Sequence, residues 1–561
     1  MDPITVSILG HACVNITEEM GVNLFKSAHS TIVREVRDLS TALFDADGNC
    51  VAMGNWIPML LNAMAPGMDA CKKEYDLKET KPNEAYVLNN PFKGGQHVND
   101  ILLFTPIIFK GELIAFSCSN VHHLDLGGGG GGEARATEVY EEGIVFSPMK
   151  ITLDNDWESS VFGKIFEANI RVPEKTIPDF NAQIIACRTG ETRVIELVKK
   201  YGVDTIKNFF EYHQNYSERI VREAIKGIPD GEYSGESYME DDGVGNGPFW
   251  VRLKIVVKGS EIIIDLSDSD KQAPGFINIP YASTYATVRT SIMSIIQAGH
   301  RLVNSGAFRP IKIITTPGTI VHAVRPAATR ARTSACYKIF DSINQALKDV
   351  MPDRVMAPGF DAQTGIALSR RFENGRYSKF SEVMGGGNGA MKDLDGHDAM
   401  IMPLTNGQNT PIESIELEFP FLEVLGYGMV VDSSGAGEFR GGNGIERKYR
   451  ILDEGVVLAT HSDRHEHSVP GFFGGRRGAT GAFILQRDGE YTRLSSKVSI
   501  KLKKGDILCL RSGGGAGYGD PKNRNPEKVY KDVREGRLSP EKASEDYGIA
   551  IEELRLSSNQ F

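Results

Sequence analysis

Little in this sequence would staple it together covalently, anchor it in a lipid bilayer or draw it to nucleic acid. Seven cysteines occur among 561 residues, at 13, 50, 71, 118, 187, 336 and 509. Their number is odd and no pair has Cys-x-x-Cys spacing, which predicts reduced thiols in a cytoplasm, mostly as small core residues. No run of about 18 apolar residues exists, so no membrane span is expected. The N-terminus, MDPITVSILG, has no basic stretch before its apolar residues and no secretory pattern. The net charge is −10 and no basic block stands out, which argues against nucleic acid as a partner. The phosphate-binding sequence GxxxxGK[ST] is absent, so the chain carries no P-loop.

What is present is a globular composition, 41% hydrophobic, with 60 glycines, many of them clustered. Clustered glycine marks tight turns and close backbone approaches. Helices are expected over much of residues 3–30, after a loop within 56–77, and through most of 160–225. The runs GEYSGESYMEDDG, WVRLKIVVKG and SEIIIDLSDSD read as consecutive strands. INIPYASTYATVRTSIMSIIQ reads as a strand end followed by a helix, and residues 301–350 read as a strand and then a helix. Residues 380–520 read as strand and Gly-rich loop throughout. Asn525-Pro526 and Ser539-Pro540 each start a short helix, with Gly536 and Gly548 at the ends. The expected fold class is α+β with several subdomains. Residues 1–228 form an α+β region carrying the site, 229–520 a mainly β region with inserted helices, and 521–561 a helical clip.

The chemistry concentrates in Asn89–Asp125. Two apolar runs, 101–109 and 113–120, flank Lys110-Gly111, which reads as the two-residue turn of a β-hairpin. Counting outward from that turn, Asp100 faces Val121, Asn99 faces His122 and His97 faces Leu124. The open end then gathers His97, Asp100, His122, His123 and Asp125. Imidazole and carboxylate together suit Zn, Mn or Fe, and two or three such ligands leave room for water. His122 and His123 point to opposite sheet faces, so one of them joins His97 directly. Asp45 ends a strand before the hairpin signal Asp47-Gly48 and is either a carboxylate for a nearby site or a turn cap. After the central hairpin come six glycines, 127–132, which read as an anion cradle, a mobile lid or a connector. Glu138, Glu141 and Glu142 follow in a segment with a short strand reading.

Blocks spread along nearly the whole chain resemble the hydantoinase B/oxoprolinase family. They include TALFDADGNCVAMG, NNPFKGGQHVND, HHLD, ATEVYEEG, NAQIIACRTGE, NSGAFRPIKI, TPIESIELEFP, SGAGEFRGGNG and GGGAGYGDP. The resemblance implies a metal-containing B subunit of an ATP-dependent cyclic amidase of the hydantoinase, oxoprolinase or lactamase type. It implies a partner, an ATP-binding A subunit that holds ATP and Mg and phosphorylates the substrate, with two copies of each polypeptide. It further implies a divalent metal on His97, Asp100 and His122, and water activation by Asp45, with His123 and Asp125 as the alternates. A related implied reading is a component of an ATP-dependent ketone carboxylase. A non-catalytic scaffold for the ATPase is the reading from another class. The six glycines stand where many family members have a shorter turn containing Pro and Ser, which bears on the substrate more than on the reaction class.

Overall fold

The structure, a computed structural model, describes residues 2–129, 134–157, 159–296, 303–360 and 363–558, with side chains through Leu554. The chain divides into two compact units. Unit 1 comprises residues 1–233, 252–332 and 403–408; unit 2 comprises 234–251, 333–402 and 409–561. The units are not contiguous along the chain: 252–332 and 403–408 return to unit 1, and 521–561 stays within unit 2. The architecture is α+β, as the sequence patterns imply. No helix among the described residues is long and apolar enough to cross a membrane.

Unit 1 begins with α1 (Pro3–Ser27), where Asp2 caps the first turn through the N–H groups of Ile4 and Thr5. The single turn α2 (Thr31–Arg34) follows. A six-stranded antiparallel sheet is built from β1 (Leu39–Asp45), β2 (Cys50–Met53), β3 (Glu84–Leu88), β4 (Asp100–Phe109), β5 (Glu112–His122) and β6 (Met149–Thr152). The spatial order is β2-β1-β5-β4-β3-β6. The helices that cover it are α1 together with α3 (Pro58–Glu74), α4 (Leu153–Asp156), α5 (Val161–Ala168), α6 (Pro173–Tyr201) and α7 (Val203–Ile225).

β4 and β5 are buried almost without alternation because helices cover both faces of the sheet. Side-chain parity sorts the two faces. On β5, Ser117 and Ser119 meet Met20 of α1 and Gln183 of α6. Cys118 and Asn120, one residue over, meet Met64 and the carbonyl of Leu60 on α3. On the α6 side, Ile101 and Leu103 pack with Phe166, Phe180 and Ile184. Burying each such side chain stabilises the fold by roughly 1.5–3 kcal/mol.

Lys110 and Gly111 form the expected turn, both with positive φ (51° and 86°), a conformation glycine tolerates and the two-residue hairpin demands. The register of the hairpin differs from simple counting. Phe109 faces Glu112 and Ile108 faces Leu113, but Ile107 faces Ala115. Ile114 is therefore an extra residue, a β-bulge, and every pair beyond it moves by one. Asp100 faces His122, not Val121.

Unit 1 continues with β7 (Gly231–Met239), whose first residues belong to it, then β8 (Phe249–Lys258), β9 (Glu261–Asp265), α8 (Tyr281–Ile296) and β10 (Ile311–Ile314). β8 pairs antiparallel with β9 from Lys254 to Lys258, and β9 pairs parallel with β10. Helix α9 (Arg332–Leu347) carries the chain into unit 2.

Unit 2 has two antiparallel sheets around a core that includes Leu368, Phe380, Tyr449, Leu458, Phe483 and Leu510. Between 385 and 517 the Gly-rich segments lie backbone against backbone. A Cβ on Gly389 would stand 1.6 Å from the carbonyl oxygen of Ala357, so only glycine fits. One segment departs from the strand-and-loop reading of 380–520. Residues Ile412–Glu418 form a helix after Pro411, because Ile415 and Phe419 share a buried face at helical spacing. The C-terminal clip holds a third helix, Ile551–Ser558, beyond the two expected. Leu554 from it packs with Val529, Val533, Leu538 and Ala543. All seven cysteines are free thiols, and six are buried.

Candidate metal centre

Three strand ends meet at one corner of the unit 1 sheet. His97 lies in the turn that feeds β4, where the N–H of Asp100 donates to the His97 carbonyl (3.0 Å). Asp100 opens β4 and His122 closes β5. Asp38 stands just before β1 and accepts the His122 N–H on its own carbonyl (3.1 Å). His97, Asp100 and His122 each offer one ligand atom, and these atoms all lie within 4.8 Å of one another.

Asp100 is the hub. Its Oδ2 lies 2.8 Å from His97 Nδ1 and 2.6 Å from Arg332 Nη2, and its Oδ1 lies 3.2 Å from His122 Nδ1. Burial works against its charge. The imidazoles and the Arg332 guanidinium more than offset that, and hold the carboxyl well below the usual carboxylate range. Burial, reinforced by Arg332, pushes His97 well below its ordinary value and keeps it neutral, the form that binds metals. Its Nδ1 is close to Asp100 but outside hydrogen-bonding geometry, so a buried ring nitrogen is left without a partner. Asp38 Oδ2 lies 3.9 Å from His122 Nδ1. Burial pushes Asp38 up to about 6, with nearby Asp100 adding to the shift and His122 opposing it.

The other residues singled out by sequence lie elsewhere. His123 faces the opposite side of the sheet, as strand alternation requires. Its Nε2 donates to Gln183 Oε1 (2.8 Å), and its ring stands 6.3 Å from both Phe166 and Phe180. Asp125 is clamped by Arg171, whose Nη2 lies 2.6 Å from Oδ1 and whose N–H donates to Oδ2 at 2.5 Å. Asp45 pairs with Ala115 at the far end of β1, whereas Leu39, at the near end, pairs with Val121. Six strand residues separate Asp45 from the cluster's end, roughly 20 Å. Its carboxylate accepts from the N–H groups of Asp47 and Asn49 and from Gln214 Nε2. The hairpin mouth therefore joins three of the five residues expected there, and Asp45 is not among them.

Of the glycine run, 127–129 are described and 130–132 lie outside the described residues. Glu141 closes a capping box with Glu138, whose N–H it accepts (3.0 Å). Glu142 is buried and accepts from the N–H groups of Thr329 and Arg330, both at 2.7 Å. The segment read as one short strand is thus a 3-10 turn followed by β6, because Glu141 caps the turn through the N–H groups of Thr137 and Glu138.

Asp38 and Arg332 have no counterpart among the residues the sequence singled out. Asp38 precedes the apolar run LSTALF, but its place at the site needs the β1–β5 pairing. Arg332 is separated from Asp100 by 232 positions and carries no local signal.

The sequence signature described as Hydantoinase B/oxoprolinase matches residues 2–521. The chain belongs to the hydantoinase B/oxoprolinase family. Within that family it is 33% identical to a protein of Pseudomonas sp. strain NS671 described as the B component of a candidate D-/L-hydantoinase, covering 98% of this chain and 95% of that one. It is 30% identical to the caprolactamase subunit beta of Pseudomonas jessenii, over 98% and 97%. The crystal structure of the ATP-dependent caprolactamase from Pseudomonas jessenii superposes with a TM-score of 0.87 at 27% identity, over 98% of this chain and 96% of that one.

The metal that the family resemblance implies fits the residues present. Two imidazoles and one ionised carboxylate converge, and the buried Nδ1 of His97, which makes no well-aligned hydrogen bond, is the kind of ligand atom a cation would satisfy.

Proposed function

We propose that this chain is the metal-bearing hydrolytic component of an ATP-dependent cyclic amidase and opens a lactam- or hydantoin-type ring after an ATP-binding partner has phosphorylated it. His97, Asp100 and His122 hold a divalent metal, Zn or Mn before Fe, since a mixed imidazole and carboxylate set suits these ions. A divalent ion there supplies Lewis acidity and lowers the pKa of a water molecule toward neutrality. The protein's own groups do the rest. His97 presents a neutral nitrogen, Arg332 keeps Asp100 ionised, and the Asp100–His122 pairing fixes the second imidazole. Asp38, beside His122, is the carboxylate within reach to accept a proton. We assign that role to Asp38 and not to Asp45 because strand length separates Asp45 from the cluster.

The convergence of the three ligand atoms within 4.8 Å carries this reading. The lack of a P-loop sequence supports leaving ATP to the partner. The acetone carboxylase structure shares the fold, with a TM-score of 0.88, but at 16% identity it bears on fold alone.

The test is co-purification with the ATP-binding partner and an assay of ATP-dependent turnover of hydantoin, 5-oxoproline, caprolactam and a ketone with bicarbonate. Ring opening that needs ATP and is lost in His97→Ala is the expected result. Carboxylation of the ketone without ring opening would overturn the amidase reading. Full metal occupancy in His97→Ala would overturn the ligand set.

A further inference from the structure

A cavity of about 770 Å³ lies between α3 and α8, within the range of small-ligand sites. Phe92, Tyr281, Tyr285 and His322 line it, with the exposed Lys73 and Arg325 at its rim. None of His97, Asp100, His122 or Asp38 does. The loop that brings His97 to the metal centre also brings Phe92 here. Gln96 ties that loop to α8 through Ser283 Oγ (3.3 Å).

Tyr281 and Tyr285 stand one helical turn apart on α8, with ring centroids 6.0 Å apart, and His322 lies 5.1 Å from Tyr281. One turn further on the same face is Arg289, only 8% exposed. Its guanidinium carbon lies 3.5 Å from the Tyr285 centroid and 4.1 Å from that of Phe308. Its Nε has no hydrogen-bond partner, and among the described residues it has no carboxylate partner. A buried cation usually requires an anion; here two aromatic rings face it, and the carboxylate of Asp69 on the cavity wall acts on it from beyond ion-pair distance.

Charge at the rim points the same way. Glu74 is paired with Lys93 (2.8 Å), and Asp69 lies 4.0 Å from Lys72. Lys73 and Arg325 have no carboxylate partner among the described residues. Arg325 lies 5.6 Å from the Phe92 ring and donates to the Tyr140 hydroxyl (3.2 Å).

We propose that this cavity binds a planar heterocycle bearing one carboxylate, with its ring stacked on the Tyr281–Tyr285 wall and its carboxylate at Arg325. The inference is independent of the reading of the metal centre.

Calorimetry on the full chain with three probes tests it: orotate (ring and carboxylate), uracil (ring alone) and acetate (carboxylate alone). Orotate should bind at least tenfold more tightly than either. Arg325→Gln, a surface change that leaves the fold intact, should weaken orotate about tenfold and leave uracil unchanged. Tyr281→Leu should weaken both ring probes. Asp100→Asn should leave the orotate Kd unaltered. Absence of orotate binding, orotate binding indifferent to Arg325→Gln, or orotate binding lost in Asp100→Asn would each overturn the proposal.

Discussion

Three groups converge on the buried carboxylate of Asp100, and each constrains a different substitution. An amide at this position cannot carry the charge that balances Arg332 or a metal. Asp100→Asn should lose most bound metal by elemental analysis. Asp38→Asn should keep much of it while turnover falls about a hundred- to ten-thousand-fold, the range for a lost general base. Asp45→Asn should keep both metal and turnover and lower stability by about 1 kcal/mol, since it weakens a local hydrogen-bond network. Loss of turnover in Asp45→Asn with metal intact would return the base role to Asp45. Arg332 is a different case. Arg332→Met leaves a buried carboxylate short of its cation, and such breaks cost about 3–5 kcal/mol. Urea unfolding of the metal-free protein should show that loss, and Arg332→Lys should recover part of it.

At the scale of elements, the hairpin and its bulge decide the site. Parity along β5 was legible in the sequence, and it correctly separated His122 from His123. The register was not, because a bulge is set by how the strands twist against their neighbours and leaves no mark in Leu113-Ile114-Ala115. Inserting one residue after Ile114 moves every later position of β5 by one and slides His122 out of line with Asp100. Metal content should fall well below that of Phe180→Ala. That second variant opens a cavity on the other face of the sheet, costs about 3–5 kcal/mol and leaves the cluster in place. Equal metal content in the two variants would show that the register of β5 does not set the site. The C-terminal helices were legible for the opposite reason. Asn525 accepts from the N–H of Glu527 and Ser539 from that of Lys542, so their signals are local.

Across the whole molecule, buried histidines couple stability to pH. Burial lowers His123 and His213, and burial with Lys497 beside it pushes His465 down to about 4. A histidine held neutral in the fold binds its proton more readily when unfolded. Its contribution is complete above about 6.5 and is lost as pH falls toward 4. Glu142 acts in the opposite sense. Burial pushes it up to about 7, so its contribution declines as pH rises from 4.5 toward 7. The clean measurement is a difference: urea midpoints of wild type and His465→Gln at pH 7.5, 6 and 5. The wild type should lose about 2 kcal/mol more than the variant over that range. Parallel curves would show that His465 does not titrate with unfolding.

The amino-acid sequence by itself determined what depends on neighbours along the chain. Helices α1, α6, α7 and α8, the Lys110-Gly111 turn, the capped C-terminal helices and the glycine-dependent close packing follow from periodicity, capping and backbone sterics. It also determined the family, because the motif blocks occur in order along the chain. Only the tertiary structure decided which residues share a site. The bulge at Ile114, the β1–β5 pairing that delivers Asp38, and the approach of Arg332 to Asp100 join segments far apart in the chain. Such contacts are selected by packing and by the need to pair buried charge, and neither is encoded in local spacing. The same reason leaves Asp45, in a block that marks the family, at the far end of a strand whose other end reaches the cluster.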